Sequence, residues 1–216
     1  MNFLELCVRL HQEADTAGSG PTSVLGNTGE LANEVNWVAD AWTEIQGQLH
    51  WDWQWQEATV TVLTGTSKIA TSIAADRYVQ DAGYIGTRFV DYYPWHRFRM
   101  IFPEALIASR PAGAAEGVSA WTVAPDKTLR FNAIVDADTA ITVERYANPT
   151  VLAANTDTPA MDSEFHMAIV WHALIKNHNF NEAGISRQTA QVELNKIMKN
   201  LHNRSTPQMI LGGPLL

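Results

Sequence analysis

The period of apolar positions changes twice along the chain. Phe3, Leu6, Cys7, Leu10 and Ala14 are spaced by three and four, which predicts a short amphipathic helix over residues 3 to 14. The stretch DTAGSGPTSVLGNTGE, residues 15 to 30, reads as a loop, with Asn27 three residues before Glu30 as a cap for the next helix. Leu31, Val35, Val38, Trp42, Ile45 and Leu49 then recur in alternating steps of four and three, the seam of a long helix packed nearly parallel to others. In HWDWQWQ, Trp51, Trp53 and Trp55 fall at every second position, a period that no helix face keeps, so extended structure is expected.

From about Gln56 to Tyr146 the segments ATVTVLTG, TLRFNAIV and AITVERYA are rich in Val, Ile and Thr, with the turn signals PDK and DAD between them. TLRFNAIV and AITVERYA, flanking Asp136 to Thr139, are the clearest hairpin candidate. Pro94, Pro103, Pro111 and Pro125 predict loops and short strands in this half of the zone instead of long helices. Helical patterning returns after NPTVLAANTDTPAMDSEF. Glu164 to Asn177 is apolar on more than one face, as for a helix central in a bundle, and Ala190, Leu194, Ile197, Met198 and Leu201 mark a final amphipathic helix. The pattern therefore predicts an α+β fold: a helical bundle from the N- and C-terminal helices (residues 1–56 and 148–202), an inserted β-rich lobe (57–147) and an extended tail (203–216). The tail, NRSTPQMILGGPLL, has two apolar clusters, Met209, Ile210 and Leu211, then Leu215 and Leu216, and such a tail calls for a partner surface.

With 216 residues the chain is long enough to bury a real core, and 15 basic against 23 acidic residues, net −8, argue against non-specific attraction to nucleic acid or anionic membrane. Cys7, the single cysteine, sits in the apolar pattern of the first helix and reads as a buried thiol. The opening MNFLELCVRLHQEAD does not have the form of a signal segment, and no apolar run has membrane-spanning length, so a soluble protein made inside the cell is expected.

Catalytic patterns are weak. Gly18 to Gly29 lacks the Gly-Lys-Ser/Thr ending of a phosphate loop. His166, His172 and His178 are six apart, which rotates them around a helix instead of stacking two on one face as a zinc site needs, and they read as structural. Asp162 and His166 are one turn apart, a spacing for a local cap or ion pair as much as for a metal. Asp136, Asp138 and Asp157 lie in turn-like sequence, where aspartate bonds nearby backbone amides. No serine sits in a Gly-x-Ser-x-Gly elbow. No catalytic, cofactor or metal residue is assigned. The tryptophans allow two readings: side chains covering a sheet face against the helices, which the lack of nearby basic residues favours, or a stacking platform for sugar or single-stranded nucleic acid.

Two separated stretches resemble the head-to-tail adaptor (connector) proteins of tailed bacteriophages. FLELCVRLHQEADTAGSGPTSVLGNTGELANEVNWVADAWTEIQGQLHWDWQW is similar to the family's short helix, Gly-Ser-Gly-Pro-Thr loop, Thr-Gly-Glu helix start and Trp-x-Trp ending. TDTPAMDSEFHMAIVWHALIK resembles its Asp-x-Pro turn leading into a Phe-His-x-x-Ile-Val helix, and PDKTLRFNAIVDADTAITVERYANP resembles the hairpin before that turn. The resemblance covers roughly half the chain. It implies a non-enzymatic virion protein of the phage neck, assembled as a ring of about twelve copies. The implied partners are the portal, neighbouring copies, the next neck or tail protein and passing double-stranded DNA, and Trp-x-Trp becomes packing. The rival reading is a carbohydrate-binding or hydrolytic tail protein that uses the tryptophans; a tail-completion protein shares the fold class.

Overall fold

A computed structural model describes residues 1–69, 77–109, 117–181 and 184–205. The fold is α+β, with a β-rich segment inserted into a helical bundle. Two compact units are formed: Met1–Trp53 with the described residues from Pro149 onward, and Gln54–Asn148.

The helical unit holds α1 (Phe3–Glu13), α2 (Gly29–Gln48), α5 (Met167–Asn181) and α6 (Gly184–Ser205). α1 opens with a capping box that the sequence reading missed: Asn2 Oδ1 accepts from Glu5 N, and Glu5 Oε2 accepts from Asn2 N, both at 2.9 Å. For α2 the cap residue is Thr28, with no side-chain cap bond; Asn27, expected there, donates to the Ser23 carbonyl and belongs to the loop. α5 packs against α1, α2 and α6, so Ala168, Ile169, Val170, Ala173 and Leu174 are all buried and its sequence shows no single apolar stripe. α6 buries Ala190, Leu194, Met198 and Leu201 and runs on to Ser205, so residues 203–205, expected in the extended tail, are helical.

The tryptophan run differs from expectation. Asp52–Gln54 form a 3-10 turn, and extended structure begins only at Trp55. The tight turn carries Trp51 and Trp53 back into the helical core, whereas Trp55 is exposed and donates to Glu144.

The described residues of the β unit form seven strands in two sheets: β1 (Trp55–Val62), β2 (Arg77–Ile85), β3 (Arg88–Phe89), β4 (Asp91–Tyr92), β5 (Ala120–Val123), β6 (Leu129–Phe131) and β7 (Thr139–Tyr146). One sheet has the order β1-β7-β2-β3, with β1 and β7 antiparallel from Trp55 opposite Tyr146 to Val62 opposite Thr139. The other is β4-β5-β6, with β4 and β5 parallel. The expected hairpin is therefore not formed. TLRFNAIV and AITVERYA lie in different sheets, and the backbone between Leu129 and Val135 bonds to residues 65–69 instead. β6 instead forms a hairpin with β5, closed at PDK with Lys127 at φ 64° and Asp126 accepting from Thr128 N and Oγ1. Buried Asn132 ends β6, its side-chain oxygen accepting from Ser119 N and Ala120 N at 2.9 Å.

Two short helices, α3 (Trp95–Ile101) and α4 (Glu104–Ser109), stand where the prolines predict loops and short strands. The prolines start them: Pro94 caps α3, and the Pro103 carbonyl accepts from Leu106 N and Ile107 N.

Candidate functional site

Two of the stretches that carry the resemblance, the opening one and the TDTP turn with its helix, meet in the helical unit, and their contacts explain residues in them. His11, buried on α1, places Nδ1 3.1 Å from both carboxylate oxygens of Glu34 on α2 and Nε2 3.4 Å from the Gly18 carbonyl. Gly20 lies against the same ring, where an added Cβ would come within 3.2 Å of His11 Cβ. The Gly-Ser-Gly-Pro-Thr loop is thus wrapped over one buried histidine. Burial raises the Glu34 pKa, partly offset by the hydrogen bond and charge of His11.

The loop is also tied to the distant TDTP turn. Asn155 Oδ1 accepts from Val24 N at 2.8 Å, and the Asp157 carbonyl accepts from Phe3 N at 2.7 Å. The Asp157 carboxylate accepts from Ala153 N and Ala154 N, which lowers its pKa and closes the turn. Buried Gln46 on α2 holds both backbone groups of Thr150: Nε2 donates to its carbonyl and Oε1 accepts from its N–H, each at 2.8 Å. These bonds fasten the chain where it returns to the helical unit.

Trp51 donates from Nε1 to the Ile45 carbonyl at 2.7 Å. One ring face stacks on Trp53 at 4.8 Å, and His202 of α6 stacks at 5.2 Å. Trp42 lies 6.5 Å from Trp53. Trp51 is fully buried, so it offers no ring to a sugar, and this cluster is packing inside the helical unit, not a cover on a sheet face.

The candidate chemical groups do not converge. His166 Nε2 donates to the Met161 carbonyl at 3.0 Å, leaving Nδ1 to accept from the Met1 nitrogen; His172 approaches Glu44 at 3.5 Å. Burial holds His166, His172 and His178 below the ordinary histidine pKa. Asp162 and Glu164 both pair with Arg204 near the end of α6. Asp138 accepts from Thr64 N and Oγ1 at 2.9 Å, whereas Asp136 lies two residues earlier in the same bend. Cys7 is buried, and desolvation pushes its thiol up to about 12. Among the described residues, no group of three His, Cys, Asp or Glu side chains is placed to hold a metal ion, and no helix is long and apolar enough to cross a membrane. Met209, Ile210, Leu211, Leu215 and Leu216, the expected interface residues, lie outside the described residues.

Charge is unevenly divided. Of the 23 acidic residues 13 belong to the helical unit, with 6 of the 15 basic ones; the β unit has 10 acidic and 9 basic. Nearly all the net −8 thus belongs to the helical unit.

A family model described as SU10 adaptor protein matches residues 1–212. The comparison with curated proteins returned no match.

Proposed function

The chain belongs to the SU10 adaptor protein family, and on that premise we propose that it is a structural protein of a phage virion, the head-to-tail adaptor that joins capsid to tail. The observation that carries this reading is the extent of the family match, 1–212, which takes in both units. The packing of the two helical-unit stretches on one another supports it: their residues His11, Gly20, Gln46, Trp51 and Asn155 make the contacts that hold the helical unit together.

In this reading copies of the chain form a ring of about twelve beneath the portal and above the next neck or tail protein. The helical bundle and the β-rich insertion are its two domains. Met209, Ile210, Leu211, Leu215 and Leu216 dock on the portal or on a neighbouring copy. The work is geometric and needs no catalysis or cofactor. Double-stranded DNA passes without sequence-specific contact, and the excess of acidic residues keeps the duplex from adhering to the conduit. The protein is made in the host cytoplasm and resides at the neck.

Infection with a phage carrying a stop codon early in this reading frame tests the proposal. DNA-filled heads and separate tails that join when purified protein is added are expected. Particles that join and infect without the protein overturn it.

A further inference from the structure

The β unit has one face whose chemistry differs from the rest of the chain. On α3, Arg97 and Arg99 are exposed beside Met100, which is 72% exposed, and Ile101, at 42%. They adjoin a cavity of about 240 Å³ whose apolar lining includes Phe98, Phe102 and Phe131 and whose charged lining, among the described residues, is Lys68, Arg99, Arg130 and Glu104; Arg130 also pairs through Nη2 with the exposed Asp126 carboxylate at 3.6 Å. The guanidinium groups of Arg130 and Arg99 lie 5.1 and 5.6 Å from the centre of the Trp95 ring. Arg130 Nε is buried and has no acceptor among the described residues.

Exposed apolar side chains around a cationic, aromatic-walled cavity make a surface for an acidic protein partner. Duplex phosphates would meet the rim but would leave the phenylalanine floor and Met100 uncovered. The sequence itself supplies a complementary surface, because the helical unit has 13 acidic residues to 6 basic, and Glu5, Asp15, Glu30, Asp40, Glu44 and Asp52 among them are exposed.

We propose that the α3 face of the β unit docks on the acidic helical unit of a second copy of this chain, with a carboxylate side chain of that copy seated beside Trp95, Arg99 and Arg130. The contact joins unlike surfaces and is heterologous, the kind that closes into a ring when the rotation between copies permits. It rests on the adaptor reading and adds to it which surfaces meet.

The test uses full-length protein with Met100→Cys, bearing a thiol-linked benzophenone. Cys7 is buried and does not compete for the label. Adaptor-deficient heads are completed with an equal mixture of ¹⁵N-labelled and unlabelled protein, irradiated and mapped by mass spectrometry. The proposal expects cross-links that join a labelled to an unlabelled chain, from position 100 to peptides of the helical unit. Heads that are completed but show cross-links only to other virion proteins, only to DNA, only within one isotope, or none, overturn it while the adaptor reading stands. Protein that never joins the heads overturns both. In parallel, Arg99→Glu should lower incorporation at least tenfold and Arg99→Lys should restore most of it; equal incorporation of all three contradicts the contact.

Discussion

Glu34 is fully buried on α2 and faces His11 of α1, with both carboxylate oxygens 3.1 Å from the imidazole Nδ1. Burial raises the Glu34 pKa above its unfolded value. Such a group contributes stability that is fully present below the ordinary glutamate value and is lost as pH rises through the folded value. Glu34→Gln should therefore gain stability relative to the native chain between about pH 4 and neutrality. His11→Ala, which strips a buried carboxylate of its partner, should cost about 3–5 kcal/mol. Urea unfolding at pH 4.5 and 7.5 checks both, and a native-minus-variant difference that does not change with pH contradicts the first.

Gly83 on β2 faces Trp121 on β5, and a Cβ at Gly83 would lie 2.5 Å from Trp121 Nε1. Trp121 is fully buried and held edge-on by Tyr78 and Tyr92, so it has little room to retreat. Gly83→Ala should destabilise the β unit by about 1–3 kcal/mol, with a matching shift in Trp fluorescence on unfolding. An unchanged unfolding midpoint would mean that the ring moves aside freely.

Gln46→Leu should cost about 1–3 kcal/mol, because it leaves the N–H and C=O of Thr150 without their side-chain partner. Hydrogen exchange of the Thr150 amide gives a local readout. Faster exchange there, with little change in the strands, is the expected result.

The buried histidines set an acid limit. His166, His172 and His178 all have pKa values lowered by burial. Their contribution is full above the ordinary histidine value of about 6.5 and is lost as pH falls through the folded values. Glu34 acts in the opposite sense over this range, so the readout is a difference between chains: the stability of the native chain relative to His172→Gln should fall from pH 7 to 5.5. A difference that does not change over this range would contradict a neutral, buried imidazole at His172.

Removal of residues 206–216 should leave the melting temperature nearly unchanged and block head-to-tail joining. The cut belongs after Ser205, because Arg204 pairs with Asp162 and Glu164 and is part of the helical unit. Truncated protein that joins heads to tails at the normal rate would remove the tail from the interface.

The helices were legible because their signal is local. Leu31 to Leu49 and Ala190 to Leu201 show their packing faces at three- and four-residue steps, and α5 betrays its central place by being apolar all round. Strand partners were not, because pairing depends on contacts far along the chain: Leu129 to Val135 looks like half of a hairpin with Thr139 to Tyr146, yet its backbone bonds to residues 65–69. Trp51, Trp53 and Trp55 misled for a related reason, since period two is also produced when a 3-10 turn separates a core pair from the first residue of a strand. Asn2–Glu5 and Asn27–Glu30 share the same Asn-x-x-Glu spacing, and spacing alone does not separate the pair that forms a capping box from the pair whose Asn bonds back to the Ser23 carbonyl. The cationic face of α3 was hidden because Trp95, Arg99, Lys68 and Arg130 come together only through folding.

A protein that joins head to tail must sit between them in the particle. Electron microscopy of purified virions carrying a bulky tag on this protein should show a ring of label at the neck, between capsid and tail. Label at the tail tip or on fibres, with none at the neck, would contradict the account.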